Sequence, residues 1–217
     1  RKISTAPDRW NGCREAAMKN MKRICMILCI VFCSGLLLFV PAQNYQREIS
    51  DKILRFHVVA NSNTMEDQEL KLLVRDRIAE FLQEPLSLCR TKSDSEAAVK
   101  ALLPQIREVA MACVQSCGYD YPVSAGIGEC YFPEKTYGDM TFPRGYYEAL
   151  TINIGSGSGR NWWCVLFPNL CFTDAVTAAV PEESRDLLKD ELCEETYESL
   201  FEGDKVQLRL KLAEIFQ

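Results

Sequence analysis

The sequence predicts an α+β fold: a mixed or antiparallel sheet with helices packed on one face, preceded by an N-terminal hydrophobic export segment. Three observations carry this. Two stretches after residue 60 repeat apolar residues at helical spacing, the texture from Tyr121 onward turns β-branched and aromatic between glycines and prolines, and residues 24–40 carry no charge. The expected order β, α, α, β, β, β, α, β has no regular βαβ repeat, which argues against a doubly wound parallel sheet.

With 217 residues, 47% hydrophobic and 10% aromatic, the chain can bury a core and is not a disordered segment. Its net charge of -5 hides a split. Residues 1–23 carry seven basic side chains against Asp8 and Glu15, whereas residues 43–217 carry 18 basic and 28 acidic ones. The body is therefore acidic and offers no clustered basic face, so nucleic acid is not an expected partner. Residues 1–20 show no clear periodicity and read as an extension without structure, upstream of a start at Met18 or Met21. Residues 21–42 read as a signal peptide or membrane anchor. Met21-Lys22-Arg23 is a positive n-region, and the seventeen uncharged residues 24–40 span about 25 Å as a helix, short for a bilayer core but suited to export. Val40-Pro41-Ala42 resembles a cleavage site, and the basic flank keeps the start inside while the body crosses the membrane.

Residues 50–217 read as one α+β domain. Residues 53–60 (ILRFHVVA) form the first strand, ended by the turn Asn61-Ser62-Asn63. Thr64 and Asp67 have capping-box spacing, and Leu70, Leu73, Val74, Ile78, Phe81 and Leu82 then recur at helical period up to Pro85. Ser93 with Glu96 opens a second helix whose stripe is Val99, Leu102, Leu103, Ile106, Val109, Ala110, Cys113 and Cys117. Pro104 is expected to kink or divide it, and Gly118 to cap its end. Strands follow near residues 121–131, 146–154 and 162–167, with loops at 133–145 and 155–160. Pro181 suits the first turn of an acidic helix ending near Gly203, and Val206, Leu208, Leu210 and Leu212 alternate with polar residues as a final strand.

The chemistry-bearing residues are few. Seven cysteines lie in the body (Cys89, Cys113, Cys117, Cys130, Cys164, Cys171 and Cys193), an odd number without a CxxC, and His57 is the only histidine. A structural zinc site and a cofactor are not expected. The run Gly155-Ser156-Gly157-Ser158-Gly159 matches no phosphate-loop spacing and reads as a flexible hairpin loop. A turn at Pro168-Asn169 can bring Cys164 and Cys171 to disulfide distance, the alternative being two structural thiols. His57 as general base, Cys164 as nucleophile and Asn61 as orienter would make an exported hydrolase acting on peptide or cell-wall material, set against a half-buried structural histidine. Trp162 and Trp163 sit side by side on one strand, so they point to opposite faces and one of them is expected to face a partner or groove.

Three blocks of this body resemble the stage II sporulation protein R family over about residues 50–175. They are residues 54–62 with Asp67-Gln68 and Lys71 through Asp76, residues 137–146, and Asn161-Trp162-Trp163-Cys164-Val165-Leu166-Phe167-Pro168. The resemblance implies a signalling protein of endospore-forming bacteria, made in the forespore and exported into the septal intermembrane space. There it would activate a membrane-embedded aspartic protease of the mother cell, which removes the pro-sequence of sigma E. It implies a non-enzymatic ligand and brings no catalytic residues. On that reading Trp162 or Trp163 with Phe167 would supply aromatic contact area, with Arg55, His57, Asn61, Arg75 and Arg144 as polar contacts.

Overall fold

The computed structural model describes residues 6–171 and 180–201, with side chains described over residues 18–33 and from Tyr45 onward. Two units divide the chain, one containing residues 1–43 and the other, the body, residues 44–207. Helix α1 (Ala6–Lys52) takes in residues 6–20, which the sequence reading left without structure. Good helix formers are concentrated at residues 14–19 (Arg14, Glu15, Ala16, Ala17, Met18 and Lys19), and Pro7 falls in the first turn, where proline is tolerated. Among the described residues no helix is long and apolar enough to cross a membrane.

In the body, β1 (Leu54–Val59) is followed by α2 (Met65–Ser87) and α3 (Lys92–Ser116). Thr64 caps α2 by accepting from Asp67 N, as its spacing foretold, but the helix continues past Pro85 to Ser87. The box that opens α3 is Thr91 with Asp94, not Ser93 with Glu96, and Pro104 lies inside an undivided helix. Gly118 ends α3 at φ 83°, with Gly118 N donating to Gln115 O and Tyr119 N to Val114 O, the paired bonds of a Schellman motif. Next come β2 (Val123–Phe132), β3 (Lys135–Tyr137), β4 (Met140–Phe142), β5 (Gly145–Ile154) and β6 (Asn161–Phe167). The expected loop at 133–145 is in fact the β3–β4 hairpin, closed by Gly138 at φ 59°.

The main sheet is mixed, in the order β2-β5-β1-β6, with β1 parallel to β5 and antiparallel to β6. All six residues of the central β1 are buried. Alternation sends Leu54, Phe56, Val58, Leu150, Ile152, Cys164 and Leu166 to the face covered by α2 and α3 through Leu70, Val74, Ile78, Ile106 and Ala110. Helices do not cover one face only. The other face packs Phe132, Tyr147, Ala149 and Val165 against Ile49 and Ile53, the hairpin residues Met140 and Phe142, and Leu188, Leu192 and Leu200. The expected single acidic helix is two, α4 (Glu182–Glu191) and α5 (Glu194–Ser199). The break falls where the Glu48 carboxylate accepts from Cys193 N at 2.8 Å and from Thr196 Oγ1 at 2.5 Å, giving α5 an N-terminal partner from α1. Gly203 and the expected final strand lie outside the described residues.

Candidate functional site

The matched register of β1 and β6 distributes the chemistry-bearing side chains. Phe56 stands opposite Cys164, and His57 opposite Trp163. Side chains directly opposite share a face and sequence neighbours do not, so Cys164 points to the α2/α3 side and His57 to the other. The sheet itself separates the expected nucleophile from its expected base. Asn61, the expected orienter, is engaged elsewhere, donating to Asp67 Oδ2 at 2.9 Å and accepting from Ser156 N at 2.9 Å.

On the His57 face, Arg55 is fully buried, a correction to its expected place among surface contacts. Its guanidinium lies 4.4 Å from the Phe132 ring centroid, 5.1 Å from that of Tyr147 and 5.8 Å from that of Phe142. Arg55 Nε donates to Cys164 O at 2.8 Å and Nη2 to Tyr137 Oη at 3.1 Å, while Tyr137 donates onward to Trp163 O at 3.0 Å. Ring faces thus take the place of a carboxylate as the environment of a buried cation. Burial pushes the Tyr137 phenol far above its ordinary value, and Arg55 pulls the other way.

His57 is 9% exposed, stacked on Trp163 with ring centroids 3.9 Å apart at 15° and edge-on to Phe132 at 5.9 Å. Among the described residues neither ring nitrogen meets a partner at full hydrogen-bond geometry, the Asn161 side chain being the polar group that comes near. Burial lowers its pKa, with the Asn161 side chain pulling the other way. A neutral histidine in an aromatic stack serves as packing.

Trp162 turns to the opposite face, edge-on to Phe56 at 5.6 Å, with the Arg75 guanidinium 5.0 Å from its ring centroid and Arg75 paired to Asp76 at 2.6 Å. Both tryptophans are half-buried, each packed on the core of its own face, so they point to opposite faces as expected and neither ring is left wholly to a partner or groove. Phe167, at 3% exposure, belongs to the core. A register shift at Leu54/Arg55 places Phe167 opposite Leu54, on the α2/α3 side. Arg144 is half-exposed at the corner between β4 and β5.

The glycine run is not a free hairpin loop. Since β1 lies between β5 and β6, residues 155–160 must cross over the C-terminal end of β1, and they close around the 61–63 turn. Ser156 Oγ and Ser158 Oγ both donate to Asn61 O at 2.7 Å, Gly159 N to Ala60 O at 2.9 Å and Arg160 N to Asn63 Oδ1 at 2.8 Å. Beneath, the buried Asp67 accepts from Ser62 Oγ at 2.5 Å, a bond that holds its carboxyl below the ordinary range despite desolvation. Lys71 donates to Gln68 Oε1 at 2.6 Å and to Arg160 O at 3.2 Å, and burial lowers its pKa. Asp67, Lys71, Tyr137, Ser156 and Ser158 enter the sequence analysis as a helix cap, as parts of the resemblance and as a flexible loop, with no site role given to them. The only available signal was the repetition of Asn, Ser and Gly in two turns far apart in the chain.

At the other end of β6 the chain turns back through a cis Phe167-Pro168 peptide. Leu170 N and Cys171 Sγ both donate to Val165 O, at 3.2 and 2.9 Å, and Cys164 and Cys171 are neighbouring free thiols. Residues drawn from β1, α2, the β3–β4 hairpin and β6 thus meet around one edge strand, which presents the two tryptophans from a rigid support.

The chain matches the family model of stage II sporulation protein R over residues 50–177. It is 30% identical over 175 residues to the stage II sporulation protein R of Bacillus subtilis (strain 168), covering 78% of each chain. No solved structure matches it.

Proposed function

The chain belongs to the stage II sporulation protein R family, and on that premise we propose that it is an exported ligand that switches on a membrane-embedded aspartic protease by binding. The ligand is made in the forespore, crosses into the septal intermembrane space with its basic N-terminal segment left behind, and triggers removal of the pro-sequence of sigma E in the mother cell. The observation that carries a binding role is the pair Trp162 and Trp163, half-exposed on the edge strand and each backed by packed aromatics. Rigid aromatics of this kind supply hot-spot area at little entropic cost. The opposite orientations of Cys164 and His57 leave the rival hydrolase without a nucleophile–base contact.

Activation by binding is a population shift. To move a protease from about 1% to about 99% active, the ligand must favour the active arrangement by roughly 10⁴-fold, about 5.5 kcal/mol. Arg75, whose guanidinium lies over the Trp162 ring, adds a polar contact beside the aromatic area, and Arg144, half-buried at the β4–β5 corner, is a second polar contact of the proposed surface. The test is pro-sigma E processing in a sporulating strain lacking its own copy, complemented with wild type, Cys164→Ser or His57→Gln, with export checked by fractionation. Restoration by wild type and by both variants supports a binding ligand. Loss in both, with folding and export intact, restores the enzyme.

A further inference from the structure

We propose that Cys164 and Cys171 are a modification site, a dithiol that closes to a disulfide by exchange with an oxidised dithiol protein and staples the turn after the edge strand. Both thiols reach the same acceptor, Cys171 Sγ donating to Val165 O at 2.9 Å and Cys164 Sγ at 3.7 Å, so the two sulfurs converge on one carbonyl oxygen. They are also hydrogen-bonding neighbours of each other. The turn is already formed, with Leu170 N on Val165 O, so closure demands little backbone movement.

The other neighbouring thiols make the contrast. Cys113 and Cys117 stand four residues apart on α3. Side chains at that helical spacing project in parallel with Cβ atoms about 5–6 Å apart, whereas a disulfide needs about 3.5–4.5 Å. Cys113 and Cys117 are hydrogen-bonding neighbours too, but they share no acceptor carbonyl of the kind Val165 supplies, so closure is expected at the β6 turn.

Exposure sets the order of events. Cys164 is 2% exposed, whereas Cys171 is half-buried in the turn with its thiol held inward on Val165 O, so opening of the turn brings Cys171 to an oxidant first. The Cys171 thiolate attacks one sulfur of the oxidant's disulfide, that S–S bond breaks, and a mixed disulfide forms as one oxidant thiolate leaves. Cys164 gives up its proton and attacks the Cys171 sulfur, displacing the second thiolate. The chain loses two electrons and two protons, and the oxidant gains both as a dithiol. Burial and the adjacent Cys164 push the Cys171 thiol upward while Arg55 and Arg75 pull it down, so closure accelerates as pH rises.

In the cell the oxidant depends on the export reading above, but the test does not. The purified full chain is reduced, exposed to an oxidised thioredoxin-type protein, unfolded, alkylated with N-ethylmaleimide and mapped by mass spectrometry. The expected result is a peptide pair joined through Cys164 and Cys171, lacking two hydrogens and two alkyl groups. The link persists in Cys113→Ser/Cys117→Ser, and Cys164→Ala instead traps the mixed adduct on Cys171. Recovery of both thiols fully alkylated, or a link confined to Cys113 and Cys117, overturns the proposal. A chain that closes this disulfide yet fails to restore sigma-factor processing would refute the signalling role and leave the modification site standing.

Discussion

At the scale of single residues, Arg55 and His57 carry the most physical consequence, and both sit on β1 facing the same aromatic layer. Arg55 holds a charge at full burial through two donated hydrogen bonds and several ring faces, with Nη1 meeting no hydrogen-bond partner among the described residues. Truncation to alanine opens a cavity in that layer and should cost about 3–5 kcal/mol in urea unfolding. Methionine fills the same space and carries no charge to desolvate, so Arg55→Met should cost less than half as much. His57 has the opposite problem, since folding holds it neutral. Its folded pKa is lowered relative to the unfolded chain, so the unfolded state binds the extra proton first. Stability is therefore full above the unfolded value of about 6.5 and falls as pH drops below it. Thermal midpoints should decline between pH 7 and 5.5, and His57→Leu should flatten that slope while the acid-side loss from carboxylates such as Asp67 remains.

At the scale of elements, the crossover loop gives the sharpest contrast. A Cβ on Gly155, at φ 61°, would meet Asn61 Oδ1 at 2.2 Å, and one on Gly159 would meet Ser62 O at 2.2 Å, whereas Gly126 on β2 has nothing within 4 Å. Alanine at 155 or 159 should destabilise by about 2 kcal/mol or more, while Gly126→Ala should be neutral or slightly stabilising, as differential scanning calorimetry can report. These same elements show what a sequence discloses. The helices were legible because Leu70, Val74, Ile78 and Ile106, Ala110, Cys113 repeat at 3.6 residues, and β1, β5 and β6 because β-branched and aromatic runs end at Asn, Gly or Pro. The β3–β4 hairpin escaped because three-residue strands are too short to show a period. The sheet order escaped for a different reason. Placement of β1 between β5 and β6 is a nonlocal choice, and with it went the interlock of the 61–63 turn with the 155–160 loop and the fate of Cys164 and His57, whose opposite faces follow from register and not from spacing. Burial of Arg55 ran against the ordinary preference of arginine for the surface.

At the scale of the whole molecule, the chain is a member of the stage II sporulation protein R family with an acidic body and two half-buried tryptophans on its edge strand, and under the proposed role in switching a protease those tryptophans are the contact surface. A body built for binding can lose its thiol and its imidazole and keep its activity, but it cannot lose its contact surface. The double change Trp162→Ala/Trp163→Ala removes aromatic anchors worth on the order of 2 kcal/mol or more each, and should lower protease activation by at least tenfold in any chain whose circular dichroism shows the fold retained. The most direct measurement places the aspartic protease in lipid vesicles with pro-sigma E and adds the purified full chain. Activation by binding predicts cleavage that rises and saturates with the amount of chain added, equally with wild type and with Cys164→Ser, that still saturates with His57→Gln at a higher amount of chain because that ring backs Trp163, and that collapses with the tryptophan variant. Cleavage that ignores the added chain, or that requires Cys164 and His57 in a folded body, would contradict it.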